Sequence, residues 1–171
     1  MKLTNQSSGL VLQIHKTIPN LRFGQWIRRN KMNQASNRIK YLLATGAIDF
    51  SSDVFKIILM ESGFIFDKDT DHQYSDVSGN ELPGINGYTA GGQVLAGAAV
   101  TEDDVDDRTE VTWNNATWTA LGGPIGPASG AIIYDDTDVN KSIVGYIDFG
   151  TDYTQADGGT ATITNIEVRI S

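Results

Sequence analysis

Cysteine is absent from the 171 residues, which excludes disulfides, thiolate metal sites and cysteine nucleophiles and leaves the redox compartment undecided. Long apolar runs are absent too. The longest, "FKIILM" and "QVLAGAAV", have strand length and fall far short of the roughly 20 residues that a membrane-spanning helix needs. No apolar segment of signal-peptide type follows Lys2, so no secretory signal is expected. Histidine is scarce. His15 and His72 are the two present, and no G-x-S-x-G elbow occurs, so a Ser-His-Asp triad would have to recruit one of them. Glycosidase chemistry needs only two carboxylates at a suitable separation, and nothing in the spacing singles out a pair. The expectation is a protein without enzymatic activity or cofactor.

Acid is missing from one region altogether. Residues 1–48 hold Lys2, Lys16, Arg22, Arg28, Arg29, Lys31, Arg38 and Lys40 and no acidic residue, a charge of +8. Residues 49–171 hold all 21 acids against five bases, a charge of −16, so the net −8 conceals a basic head on an acidic body. Asymmetry of this kind bears on partners rather than on fold. The length and the 40% apolar content suit one domain of ordinary size with an extension.

Residues 1–31 show no sustained period of 2 or 3.6, yet Val11, Leu12, Ile14, Ile18, Leu21, Phe23, Trp26 and Ile27 make them too apolar for a solvated tail. An arm that orders on a neighbouring subunit fits this composition; a transit-like presequence shares its basic, acid-poor chemistry. We read the segment as an arm, with Phe23, Trp26, Ile27, Arg28, Arg29 and Lys31 as its partner-binding residues. Trp26 and Phe23 interleaved with Arg28, Arg29 and Lys31 would also suit nucleic acid, but the acidic body repels a polyanion, so protein contact is the preferred reading.

The remainder, residues 32–171, reads as a β-sandwich body that includes one short helix. In "NQASNRIKYLLATG" (33–46), Ala35, Ile39, Leu42 and Leu43 fall at helical spacing, Asn33 or Ser36 can cap the start, and Gly46 supplies a left-handed stop. Thereafter short β-like runs alternate with Asp-, Asn- and Gly-rich turns: 54–60, 92–100, 109–113, 116–121, 131–134, 142–150 and 160–170. In the last of these the apolar phase slips between Ile163 and Ile166, which predicts a β-bulge. The fold class expected is mainly β: an antiparallel sandwich of about seven strands with a short N-terminal helix and an extended N-terminal arm.

Five local patterns invite chemistry. The glycines of "GINGYTAGG" (84–92) are not followed by Lys-Ser or Lys-Thr and lead into a β-like run rather than a helix, so they turn the chain instead of cradling phosphate. "DKDTDHQYSDVS" (67–78) opens like a calcium loop with Asp67, Asp69 and Asp71, then places His72 where glycine belongs and Ser78 where a closing glutamate belongs. These three aspartates remain weak metal candidates in a chain expected to hold no metal. "TEDDVDDRTE" (101–110) packs six acids into ten residues and reads as an exposed turn. Trp113 and Trp118 alternate with apolar neighbours, which favours the core over sugar stacking, and "GGPIGPASG" (122–130) reads as a contact loop.

Taken together, "NRIKYLLATGAIDFSSDVFKIILM" (37–60), "HQYSDVSGNELPGINGYTAGGQVLAG" (72–97), "VTWNNATWTA" (111–120), "AIIYDDT" (131–137) and "IVGYIDFG" (143–150) resemble a widespread family of small virion proteins of tailed bacteriophages. The resemblance covers roughly residues 35–171. It implies a structural particle protein with no catalytic residues, and a glycine run that is a signature of the fold. The function expected is a capsid cement or decoration protein, located on the virion and bound to the major capsid protein or other virion proteins, with a homo-oligomeric body and no membrane contact. A neck, tail or fibre-base position is the runner-up, and a carbohydrate-binding adhesin using Trp113, Trp118 or residues 122–130 is the alternative of another class.

Overall fold

A computed structural model describes residues 33–171, so the arm residues Phe23, Trp26, Ile27, Arg28, Arg29 and Lys31 lie outside the described residues. Ten strands and little helix follow in the order β1 (Asn33–Ala35), α1 (Asn37–Thr45), β2 (Phe55–Glu61), α2 (Tyr74–Val77), β3 (Gln93–Val94), β4 (Ala99–Asp103), β5 (Arg108–Trp113), β6 (Ala116–Thr119), β7 (Ile125–Asp135), β8 (Ile143–Gln155), β9 (Thr160–Ile163) and β10 (Ile166–Ile170). All pairings are antiparallel. A five-stranded sheet runs β1-β8-β7-β2-β3, a three-stranded sheet β10-β5-β4, and β6 pairs with β9. The mainly β, antiparallel, sandwich-like architecture is the one the alternation leads one to expect.

The main core lies between these layers. Phe55, Ile57 and Leu59 of β2, Ala131 and Ile133 of β7, and Ile147 and Phe149 of β8 pack with Val111, Trp113, Trp118, Ile163 and Val168 from the smaller sheets. A second cluster sits on the opposite face of β2 and β7, where Ile58, Met60, Ile132 and Tyr134 meet Val77, Ile143 and Tyr146. That is why "FKIILM" and "AIIY" read as nearly continuous apolar runs: central strands covered on both faces cannot alternate with polar residues. Trp113 and Trp118 are each only 6% exposed. Trp113 packs 5.6 Å from Phe55 and 6.0 Å from Phe50, and Trp118 lies 6.0 Å from Tyr88 (ring centroids), the core role their alternation indicates.

Five expectations are corrected in detail. The helix begins at Asn37 rather than 33, because Ser36 is extended (φ −63°, ψ 146°) and its Oγ accepts from Arg38 N, while residues 33–35 pair with β8. Leu43 turns outward, leaving Ile39 and Leu42 as the buried face. The run 92–100 is two strands in two sheets: Leu95 N still donates to Phe55 O of β2, then Gly97 at φ +71° redirects the chain to β5. The run 160–170 divides likewise, with Asn165 at φ +54° sending β9 to β6 and β10 to β5, a sheet switch rather than a bulge. Residues 125–130, expected as loop, belong to β7, because irregular pairing carries the strand on past Gly130 to Ala128↔Tyr153 and Ile125↔Gln155.

The glycine run turns the chain, as expected, and also permits two close approaches. A Cβ on Gly92 (φ +69°) would lie 2.0 Å from Ile57 O, and one on Gly87 (φ +89°) would lie 2.1 Å from Thr119 O. Gly122 has a similar φ of +85° but nothing within 4 Å of a Cβ. Chemical denaturation should therefore separate them. Gly92→Ala is expected to lose about 3–5 kcal/mol through backbone strain plus overlap, whereas Gly122→Ala loses only the strain, about 1–2 kcal/mol. Equal losses would show that close approach is not what position 92 requires.

Candidate functional site

The described part of the chain begins where the arm joins the body. Asn33, Gln34 and Ala35 pair with Ile147, Tyr146 and Gly145, and Ser36 N donates to Val144 O at 3.0 Å. Gly145 is required there, since a Cβ would come within 2.6 Å of Gln34 O. Beside this root lies an open groove of about 430 Å³, lined among others by Gln34, Phe64, Ile65, Phe66 and Tyr146. Phe64 meets the Tyr146 ring edge-on at 5.7 Å and Phe66 stacks on it at 5.5 Å, while Ile65 is 85% exposed. The sequence reading passed over "GFIF" (63–66); its only signal was three apolar residues between the predicted strand 54–60 and the acidic stretch 67–78.

The segment between α2 and β3 is held by one carboxylate. Buried Glu81 accepts through Oε1 from the Tyr88 hydroxyl (2.6 Å) and the Gly91 amide (2.8 Å), and through Oε2 from the Tyr74 hydroxyl (2.6 Å). The Tyr88 oxygen in turn accepts from Leu59 N of β2 at 3.0 Å, and Tyr134 of β7 donates to Gly91 O at 2.8 Å. Burial pushes the Tyr74 hydroxyl up to about 12, helped by the hydrogen bond and the charge of Glu81. Burial likewise raises Tyr88, with the Glu81 bond and charge adding to it, and raises Tyr134, with Asp136 adding to it. All three phenols therefore remain donors at neutral pH, which is what the network needs. The spacing Tyr74, Glu81, Tyr88 was its visible trace in the sequence, but which acceptor each phenol finds depends on the fold.

The acidic stretches are organised from within. Asp67 Oδ1 accepts from Asp69 N (2.9 Å), Asp71 Oδ2 from Asp67 N (2.8 Å), and Asp69 from the Asn37 side chain. Asp76 Oδ2 accepts from His72 N and Gln73 N at the start of α2. Among the described residues no group of three or more His, Cys, Asp or Glu side chains is gathered to hold a metal ion, so Asp67, Asp69 and Asp71 serve their own loop. Residues 101–110 form the β4–β5 hairpin, where Arg108 bridges Asp103 (3.0 Å), Asp106 (2.7 Å) and Glu110 (2.7 Å). Lys56 and Lys141 both pair with Asp136, and Arg169 pairs with Glu110 and Glu167. Four of the five bases of the body are thus engaged internally, and the excess negative charge is left to face outward.

Two measurements test the Glu81 network. Glu81→Ala leaves one buried and two half-buried donors without their acceptor and should lower stability by about 2–4 kcal/mol, read from urea unfolding; a loss under about 1 kcal/mol would remove the carboxylate from its central place. The second is pH dependence. A Tyr74 pKa raised above its ordinary 10.0 contributes stability that is complete below pH 10 and lost as pH rises toward about 12. Tyr74→Phe should therefore show a shallower fall in stability between pH 10 and 12 than the parent chain; an unchanged slope would contradict the assignment.

No family description, no curated protein and no solved structure matches this chain.

Proposed function

We infer that the protein is a non-enzymatic structural component of a bacteriophage particle, most concretely a capsid cement or decoration protein held by its N-terminal arm. The observation that carries this is the charge division: an acid-free, basic and apolar segment of 31 residues joined to a body with 21 acids. The resemblance of residues 35–171 to phage virion proteins supports it. So does the body's construction, since its polar networks are occupied with their own backbone and its charges are turned outward. Virion proteins are used in many copies, so a weak contact per copy becomes firm attachment through avidity.

In this reading Phe23, Trp26 and Ile27 bury apolar surface on the major capsid protein, each contributing about 1.5–3 kcal/mol when fully buried. Arg28, Arg29 and Lys31 supply charge complementarity, which sets orientation and association rate more than affinity. The glycan-binding alternative loses its aromatic platform, because Trp113 and Trp118 are core residues and most of residues 122–130 are strand.

Co-sedimentation with phage capsids stripped of the protein is the test. The full chain should bind, and its binding should persist in high salt. The variant with Phe23, Trp26 and Ile27 all replaced by alanine should bind at least about 100-fold more weakly. Undiminished binding by that variant would place the contact on the body and overturn the anchoring reading. Failure of the full chain to bind would overturn the capsid assignment.

A further inference from the structure

We propose that residues 28–32 of the arm are seated on the chain's own body, in the groove of Phe64, Phe66 and Tyr146 beside the root. The proposal rests on reading residues 1–31 as an arm. It divides that arm into a seated root and a free anchor.

Continuity selects the occupant. The arm enters the fold already paired, with Asn33, Gln34 and Ala35 opposite Ile147, Tyr146 and Gly145. β8 does not end there but runs eight residues beyond Ile147, to Gln155. A chain that continued without a turn would place Met32 opposite Asp148 and bring Arg28 beside Asp152. Residues 25–32 hold neither glycine nor proline to turn it away; the nearest upstream are Gly24 and Pro19. The path is short, about 17 Å from Asn33 to Arg28.

The groove suits this segment in surface and in charge. Gln34 lines it together with Tyr146, Asp148 and Asp152, so strand alternation turns Met32 toward the same side. Met32 then covers Phe66 and Tyr146, whose rings stack at 5.5 Å, and a thioether packs well on aromatic rings. Ile65, in the same lining, is 85% exposed without such a cover. Gly150 at φ +71° breaks the regular ladder, so the contact expected at Arg28 is one of charge rather than register. Two aspartates and no lysine or arginine line the groove, while the incoming segment carries Arg28, Arg29 and Lys31 and no acid. The acidic body of a second copy would be repelled from this surface. Phe23, Trp26 and Ile27 lie beyond the seated residues and keep the capsid contact, and the seated root orients them.

Because the chain has no cysteine, engineered thiols report the contact. Full-length chains carrying Thr151→Cys with Asn30→Cys, or with Arg29→Cys, are oxidised mildly at low concentration; opposed strand residues lie within disulfide reach. At least one should close within the chain about tenfold faster than Asn30→Cys with Val139→Cys, whose second site is 92% exposed between β7 and β8. No excess for either pair would overturn the proposal. So would single variants that, when mixed, join as dimers faster than the double variant closes, since the groove would then hold a neighbour's arm. Trypsin gives a second reading on the full chain. Cleavage after Lys16 and Arg22 should be at least about tenfold faster than after Arg28, Arg29 and Lys31. Asp152→Lys, at an exposed position, should speed the slower cuts about threefold. Equal rates at all of these sites in the parent chain, or protection untouched by the charge reversal, would overturn the seating. Capsid co-sedimentation separates the two ideas. Closure of the disulfide in a protein whose parent fails to bind capsids sinks the virion reading alone, and capsid binding without closure sinks the seating alone.

Discussion

The structure depends on how the open side of β2 is closed. β3 supplies only two paired residues, opposite Lys56 and Ile57, so the rest of that strand's edge would be left with unpaired backbone next to the core. The segment after α2 takes the place of a strand. Leu82 N donates to Leu59 O at 2.9 Å, and the Tyr88 hydroxyl accepts from Leu59 N. Glu81 then ties Tyr74, Tyr88 and Gly91 into one unit, and Tyr134 fastens that unit to β7. A buried carboxylate with three donors around it stabilises an irregular segment where an unpaired one would disrupt it. Leu82 and Tyr88 of the same segment belong to the main core, so packing there and pairing along the edge stand or fall together.

The body uses its polar groups on itself: aspartates cap their own turns, cations are paired with neighbouring carboxylates, and the aromatic residues are largely inside.

Much of the body was legible from local pattern. Apolar alternation located the strands, Gly46 ended the helix, and the neighbours of Trp113 and Trp118 placed both in the core. The errors have a shared physical origin. "GQVLAGAAV" and "TATITNIEVRI" are β-like throughout, and composition does not record that a left-handed Gly97 or Asn165 moves the chain between sheets. "GGPIGPASG" looks like a loop because glycine and proline have low strand propensity, yet pairing with the extended β8 holds most of it in β7. At the candidate site, the arm and its charge were visible in the sequence. The groove at Phe64–Phe66 was not, since exposure is a property of what else packs nearby.

The sequence by itself determined the class of the fold, the division into basic arm and acidic body, and the turning role of the glycine run, because each of these follows from periodicity, charge or backbone freedom within a few residues. Only the tertiary structure decided which strands share a sheet, which carboxylate holds the tyrosines, and which edge stays open. Those outcomes join residues far apart in the chain, as Glu110 meets Arg169 and Val54 meets Thr137, and they depend on long-range packing that no local pattern encodes.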